Sequence, residues 1–460
     1  MWADRGAASS ERKPPPGPRG HILFGTLPEV QRNILSFVER VSRDYGSIAR
    51  VRLLPGLHCL MLSHPDHYKH ILIDHSENYS KELAHFDVFS LLVGAGVVTL
   101  NGKKWRERRN LVQPAFHRHR ILGFGETMTA ATIEMLERWR ALDQSVALDI
   151  GSEMTRLTLT IATRSLLTVD FTGELDAVGR AFAEANKFMA KRWANPFSLR
   201  LVKLPTPENR AFALAIKTLD DLVYRTIAER RKSGEDADDV LSMLLAARDE
   251  ETGEMLTDRE LRDEVMTVLI AGHETSASAL TWTWYLLSKN PGVEEKLHEE
   301  LKSVLGGRTP TIDDLPQLKY TRGVFEEALR LFPPAYIIGR RALADDEIGG
   351  VPIRKGAPVY LAPYATHRDP AYWDRPDAFD PSRFFDARSA NRPPTAFVPF
   401  GTGPRICMGA AFARMELQLI IATTAQQFRL RQASAEPVKL APLLTIRPQG
   451  GMPMNITLRH

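Results

Sequence analysis

One cysteine, Cys407, stands in the loop Phe400-Gly401-Thr402-Gly403-Pro404-Arg405-Ile406-Cys407-Met408-Gly409, directly ahead of a helical pattern from Ala410 to Ile421. A cysteine binds a metal only as the thiolate, and a helix N-terminus offers partial positive charge and unpaired N–H donors that favour the anion. Arg405, two residues earlier, adds a cation. Gly403 and Gly409 permit sharp turns and let the backbone lie close against a flat ligand where a Cβ would collide. These types at this spacing suit a thiolate held ready for an iron. A free cysteine packed in an ordinary loop is the plainer alternative, since unpaired cysteine is among the most buried residues. Gly401-Thr402-Gly403 also opens like a dinucleotide fingerprint, but the sixth position is Ile406 and no strand pattern leads into it.

Other groups able to do chemistry lie upstream. Ala271-Gly272-His273-Glu274-Thr275-Ser276 places polar residues in the middle of the apolar run Val265 to Leu287. A hydroxyl backed by a carboxylate can deliver protons to a site kept dry, with Thr275 as the hydroxyl and Glu274 as the relay. The same residues also suit a distorted helix around a satisfied carboxylate. Gly272 weakens a helix by about 1 kcal/mol relative to alanine, and Thr275 can bond back to a preceding carbonyl. His273 is not half of a zinc motif, because the fourth residue after it is Ala277. Glu327 and Arg330, three apart on one helical face, read by themselves as a surface ion pair. Trp105 and Arg109 share a face at i and i+4, and an arginine fork suits a carboxylate.

Mostly helices must position these groups. Periodicity predicts a helix over Gln31 to Asp44, then strands over Ile48 to Leu53 and His58 to Leu62 with a turn at Pro55-Gly56. From Ser63 to Leu305 the pattern is mainly helical, interrupted at Phe86 to Gly102 and at Trp193 to Pro207. Short strands follow over Ala342 to Tyr360, and Leu440 to Leu458 reads as a closing hairpin across Gly450-Gly451. The fold class expected is mainly α with small β-sheet regions. Residues 1–20 are expected to be a flexible proline-rich N-terminus and residues 21–460 a single domain. Val265 to Leu287 is long and apolar enough to span a membrane, but His273 and Glu274 at its centre point to a buried helix instead. A net charge of +4 is too small to argue for nucleic acid. Only two cysteines, Cys59 and Cys407, exclude a disulfide scaffold and fit a reducing compartment. Cys59 lies in an apolar strand pattern and reads as core.

The cysteine segment resembles the heme-binding loop of the cytochrome P-450 family, Phe-x-x-Gly-x-Arg-x-Cys-x-Gly, at all its specified positions: Phe400, Gly403, Arg405, Cys407 and Gly409. The hexapeptide at 271–276 is similar to that family's distal-helix motif. Glu327 and Arg330 match its Glu-x-x-Arg, and Arg383 in Pro381-Ser382-Arg383-Phe384 matches the arginine that completes a buried network behind the heme loop. The resemblance implies heme b (iron protoporphyrin IX) between a long central distal helix and the helix after the cysteine loop, with Cys407 on the iron. It assigns the propionates to Trp105, Arg109, Arg340 and Arg405, although Arg341 stands beside Arg340. It maps substrate contacts to Phe86–Val97, Phe182–Trp193, Ile270–Thr275, Ala335–Ile338 and Gln449–Pro453, an apolar set suited to a lipophilic small molecule.

The implied activity is hydroxylation or epoxidation with O2 and two electrons. No flavin or iron–sulfur motif follows the heme region, so a separate ferredoxin or flavodoxin with its reductase is the expected donor. Lys103, Lys104, Arg106, Arg108, Arg118 and Arg120 offer a basic face for such an acidic partner. Met1 to Lys13 has neither an apolar signal nor an anchor, which fits a soluble cytoplasmic enzyme of bacterial type. A peroxide-driven peroxygenase or a heme-thiolate isomerase is the nearest rival; a binding-only heme sensor or carrier belongs to another class.

Overall fold

The computed structural model describes residues 14–459, apart from 144, 145, 172, 194–198, 200, 201, 203, 238 and 249–252. The expectation for residues 1–13 therefore lies outside the described residues. Residues 14–20 lie against strand Ile48–Leu54: the Pro16 carbonyl accepts a hydrogen bond from Arg50 N, and Pro18 is buried.

Helices dominate, and the one that organises the others is Asp258–Lys289. Its start is fixed by a capping box: Thr257 accepts from the Glu260 backbone, and the Glu260 carboxylate accepts from Thr257 N–H. Asp258 and Glu260 favour its positive end, and Lys289 its negative one. Apolar residues occur on all its faces, so it must be enclosed on all sides. Helices Ile150–Leu166, Pro207–Ser233, Lys319–Leu331 and Ala410–Gln427 supply that enclosure. The helix stays regular through Ala271–Ser276, where the sequence allows a distortion. Gly272 is accommodated because it packs beside Ala162 and Leu166, where an added Cβ would make only ordinary contacts.

The larger sheet runs in spatial order Ile48–Leu54, Leu57–Leu62, Pro358–Leu361, Ile338–Ala342, Tyr79–Ser80. Its one parallel pairing joins Leu57–Leu62 to Pro358–Leu361; the rest are antiparallel. Alternation on Ile338–Ala342 turns Arg340 inward and Arg341 outward, which separates the two adjacent arginines. Cys59 is buried on its strand, its thiol pushed up to about 12 by desolvation.

The C-terminal segment departs from the expected hairpin. Leu440–Pro442 pairs with Ile446–Pro448 across a turn at 443–445, while Pro453–Leu458 pairs with Phe428–Gln432 and, at its start, with Leu148–Asp149. Gly450-Gly451 is the crossover between the two sheets. Residues with hairpin-like alternation found partners far away in sequence, which local patterning does not encode. Among the described residues, no helix is long and apolar enough to cross a membrane.

Candidate active site

The cysteine loop is shaped by the protein's own backbone. Cys407 N donates to Phe400 O at 3.0 Å and Ile406 N to Gly403 O at 3.0 Å. Gly403 has φ +73°, and a Cβ there would lie 1.8 Å from the Leu72 carbonyl oxygen, so glycine is obligatory. Gly409 differs from expectation: its φ of −81° is ordinary, and a Cβ would meet only Phe116 at 3.8 Å and the Cys407 sulfur at 4.0 Å. Nothing in the protein demands glycine there; a flat ligand against the sulfur would.

Cys407 is solvent-accessible, yet surrounding protein pushes its thiol up by desolvation; both hold for a side chain on the wall of an interior hollow. The Gly409 N–H, Arg109 and Arg414 pull the other way and do not win. The cation expected from Arg405 is thus supplied by other residues, and the polypeptide alone does not hold a thiolate. A coordinating metal ion deprotonates a thiol outright, and that is the missing charge.

Arg405 turns the other way. It donates to Leu100 O at 3.0 Å and Asn101 Oδ1 at 3.2 Å, and its guanidinium lies 4.0 Å from the Trp105 ring centroid. Arg109, on the same helix face as Trp105, donates to Ile406 O at 3.0 Å. Close by lie two further cations: Arg340, 7% exposed, and Lys81, whose Nζ donates to Val98 O at 3.0 Å. Burial and then Arg405 push the Arg340 guanidinium down to about 9. Burial followed by Arg340, Arg405 and Arg109 holds Lys81 well below its ordinary range, and His85 falls to about 4 through burial, Arg340 and Lys81. No described carboxylate forms an ion pair with Lys81, Arg340 or Arg405, although buried charges are costly unless paired. A pool of mutually repelling cations beside an accessible cysteine fits a ligand with two carboxylates, as the propionates of heme are. Lys81 and His85 are not marked by any local pattern, because they meet Arg340 only through strand Ile338–Ala342.

Behind the loop, Glu327, Arg330 and Arg383 form one buried network rather than a surface pair. Arg330 donates from Nε and Nη2 to the two Glu327 oxygens at 2.7 Å each, and Arg383 Nε donates to Glu327 Oε1 at 2.9 Å. Side-chain exposure of all three is 1% or less, so removing one partner costs about 3–5 kcal/mol. Arg330 Nη1 also donates to the carbonyls of His367 and Pro376 at 2.7 Å. The His367 ring then accepts Val398 N–H at 3.1 Å through Nε2, carrying the support to the strand of chain that leads into Phe400. Phe400 in turn lies under the Arg414 guanidinium at 4.4 Å.

The long helix is buried from Leu261 to Ile270 and from Ser276 to Trp284, but Ala271 and Thr275 are exposed, one turn apart on one face. Thr275 Oγ1 donates to Ala271 O at 2.8 Å. Glu274 does not share this face. Its carboxylate accepts from Asn186 Nδ2 at 2.9 Å, Thr445 Oγ1 at 2.9 Å, Arg447 Nε at 3.0 Å and Arg447 Nη2. Burial alone would raise this carboxyl, but Arg447, His273 and Thr445 outweigh it and hold it below its usual range. A second acid was not anticipated: Glu416, fully buried on the helix after the cysteine, is pushed up to about 8 by desolvation and accepts from Ser276.

The basic face is smaller than its sequence. Arg108 is buried against Glu260 and Glu264, and Arg120 donates to Met243 Sδ, leaving Lys103, Lys104 and Arg106 exposed; the Arg118 side chain lies outside the description.

An accessible cysteine in a loop that excludes side chains, a pool of cations suited to a dianion, and a long buried helix bared at one turn are features that a heme-thiolate site would need. The sequence profile of the Cytochrome P450 family matches residues 15–453, and the chain belongs to that family. Cyclooctatin synthase of Streptomyces melanosporofaciens is 36% identical over 93% of this chain and 92% of its own length. Cyclooctat-9-en-7-ol 5-monooxygenase of the same organism is 34% identical over 89% and 88%. Pentalenene oxygenase of Streptomyces avermitilis is 34% identical over 91% and 92%. The protein is accordingly an oxidoreductase, a monooxygenase with a heme-iron cofactor that takes O2, a lipophilic substrate and electrons from a redox partner.

Proposed function

We propose that the protein hydroxylates or epoxidises a lipophilic small molecule of terpenoid skeleton, with heme b on Cys407 and a ferredoxin or flavodoxin with its reductase as electron source. The terpenoid class rests on relatives named for pentalenene and cyclooctat-9-en-7-ol. The observation that carries the reading is the bared turn at Ala271 and Thr275 on a helix otherwise enclosed. Residues 21–460 work as a single domain in this reading, and the site of action is the cytoplasm.

Bound heme supplies the activation of dioxygen; the chain supplies position, dryness and protons. Cys407 would hold the iron, and Trp105, Arg109, Arg340, Arg405 and Lys81 would hold the propionate carboxylates, while the Glu327–Arg330–Arg383 network would keep the loop in place. The Thr275 hydroxyl, now spent on Ala271 O, is the hydroxyl of the bared turn, and freeing it costs one neutral hydrogen bond, about 1 kcal/mol. Glu274 stays ionised against Arg447 and takes up or passes a proton only when that pairing loosens. Apolar neighbours on the same helix exclude bulk water.

The test is coupling. Thr275→Ala should keep its heme and its substrate affinity but yield severalfold less product per reducing equivalent, with peroxide making up the difference. Unchanged coupling would remove Thr275 from proton delivery. Turnover with peroxide alone, equal to that with reduced ferredoxin, would favour the peroxygenase reading.

A further inference from the structure

Away from the cysteine, His70, His75 and Asp346 bring three metal-binding atoms within 4.8 Å of one another, the one such group found among the described residues. His70–Asp74 is a π-helical turn, closed by His75 N donating to His70 O at 2.8 Å. This i→i+5 closure sets the two imidazoles on the same side, where an α-helix would splay them; their centroids are 4.0 Å apart. Asp346, on strand Asp346–Ile348, faces both: its Oδ2 lies 2.9 Å from His70 Nε2 and 3.5 Å from His75 Nδ1. Donors around a tetrahedral zinc, bound at about 2.0–2.1 Å, sit about 3.3 Å apart, so the separations from Asp346 bracket the required value.

We propose that His70, His75 and Asp346 form a binding site for a zinc-type divalent cation, distinct from the heme site. Two imidazoles and one carboxylate are a set that zinc accepts with a fourth position left to water, and the half-exposed His75 gives that position access to solvent. The carboxylate is already oriented by outer contacts. Tyr79 OH donates to Asp346 Oδ2 at 2.7 Å, and Glu347 N donates to Oδ1 at 2.7 Å. The site also has a consequence for the cysteine loop. Leu72, inside the π-turn, presents the carbonyl that makes glycine obligatory at Gly403. A cation tying His70 and His75 to Asp346 therefore clamps the segment on which Gly403 rests.

Calorimetric titration of the heme-loaded, tag-free enzyme with zinc chloride tests this. One zinc per chain should bind saturably with no change in the heme spectrum. His75→Ala and His75→Gln, altering a half-exposed side chain, should abolish the binding, and Tyr79→Phe should weaken it by about 10–100-fold. No saturable binding to the wild type, or wild-type binding in both His75 variants, would overturn the proposal.

Discussion

At the scale of single residues, the informative finding is how badly several side chains fit the polypeptide alone. Lys81, Arg340 and Arg405 lie close enough to repel one another, and the Cys407 thiol is disfavoured as an anion. Each would be satisfied by a group with metal charge at its centre and carboxylates at its rim. Lys81→Met should therefore act in opposite directions on two forms. The heme-free protein should gain stability to urea, while the heme-loaded protein should release heme to apomyoglobin several times faster. Loss of stability in both forms would mean that the bond of Lys81 to Val98 O outweighs the repulsion from its neighbouring cations. The cysteine motif and Trp105–Arg109 were legible in sequence because each is local. Lys81 was not singled out, since a lysine becomes conspicuous only when strand Ile338–Ala342 brings Arg340 beside it.

Between elements, His367 links the Glu327–Arg330–Arg383 network to the heme loop. Burial first, and then Arg330 and Arg368, hold its imidazole down at about 3, so it is neutral and accepts Val398 N–H. In the unfolded chain the same ring titrates near 6.5. Below that value the unfolded state binds a proton that the native state does not. His367 therefore contributes stability that is lost as pH falls from about 6.5 toward 3. Urea midpoints measured across that window should fall less steeply for His367→Gln, which retains an acceptor but cannot be protonated; an unchanged slope would dismiss His367 as the link. No local pattern marks this residue, because its two contacts join segments 31 and 37 positions away. The same cause hid Arg447, whose pairing with Glu274 spans 173 positions and turns the expected relay away from Thr275. The closing hairpin failed similarly: alternation over 440–458 is real, but strand Phe428–Gln432 took half of it.

For the whole molecule, composition and periodicity already implied a mainly helical protein around one long buried helix, because an all-round apolar run with central charges has few other solutions. Charge distribution was less legible. Of the basic run after residue 102, Arg108 serves the interior while Lys103, Lys104 and Arg106 are exposed, and these would meet an acidic electron donor in the proposed function. Steering by so few charges should be modest and salt-sensitive. The second-order reduction rate with a ferredoxin should fall about threefold for Lys104→Glu at low ionic strength, and the difference should vanish in ~0.5 M salt. A difference that persists at high salt would indicate a contact other than electrostatic steering.

The proposed chemistry turns on Cys407 as the ligand to the heme iron. The direct measurement is the absorption spectrum of the reduced, carbon monoxide-treated, heme-loaded protein beside that of Cys407→His. The wild type should show the red-shifted Soret band of a thiolate ligand, and the variant, still holding heme, should lack it. A wild-type band at the position given by a histidine ligand, or a red-shifted band that survives the substitution, would contradict the assignment.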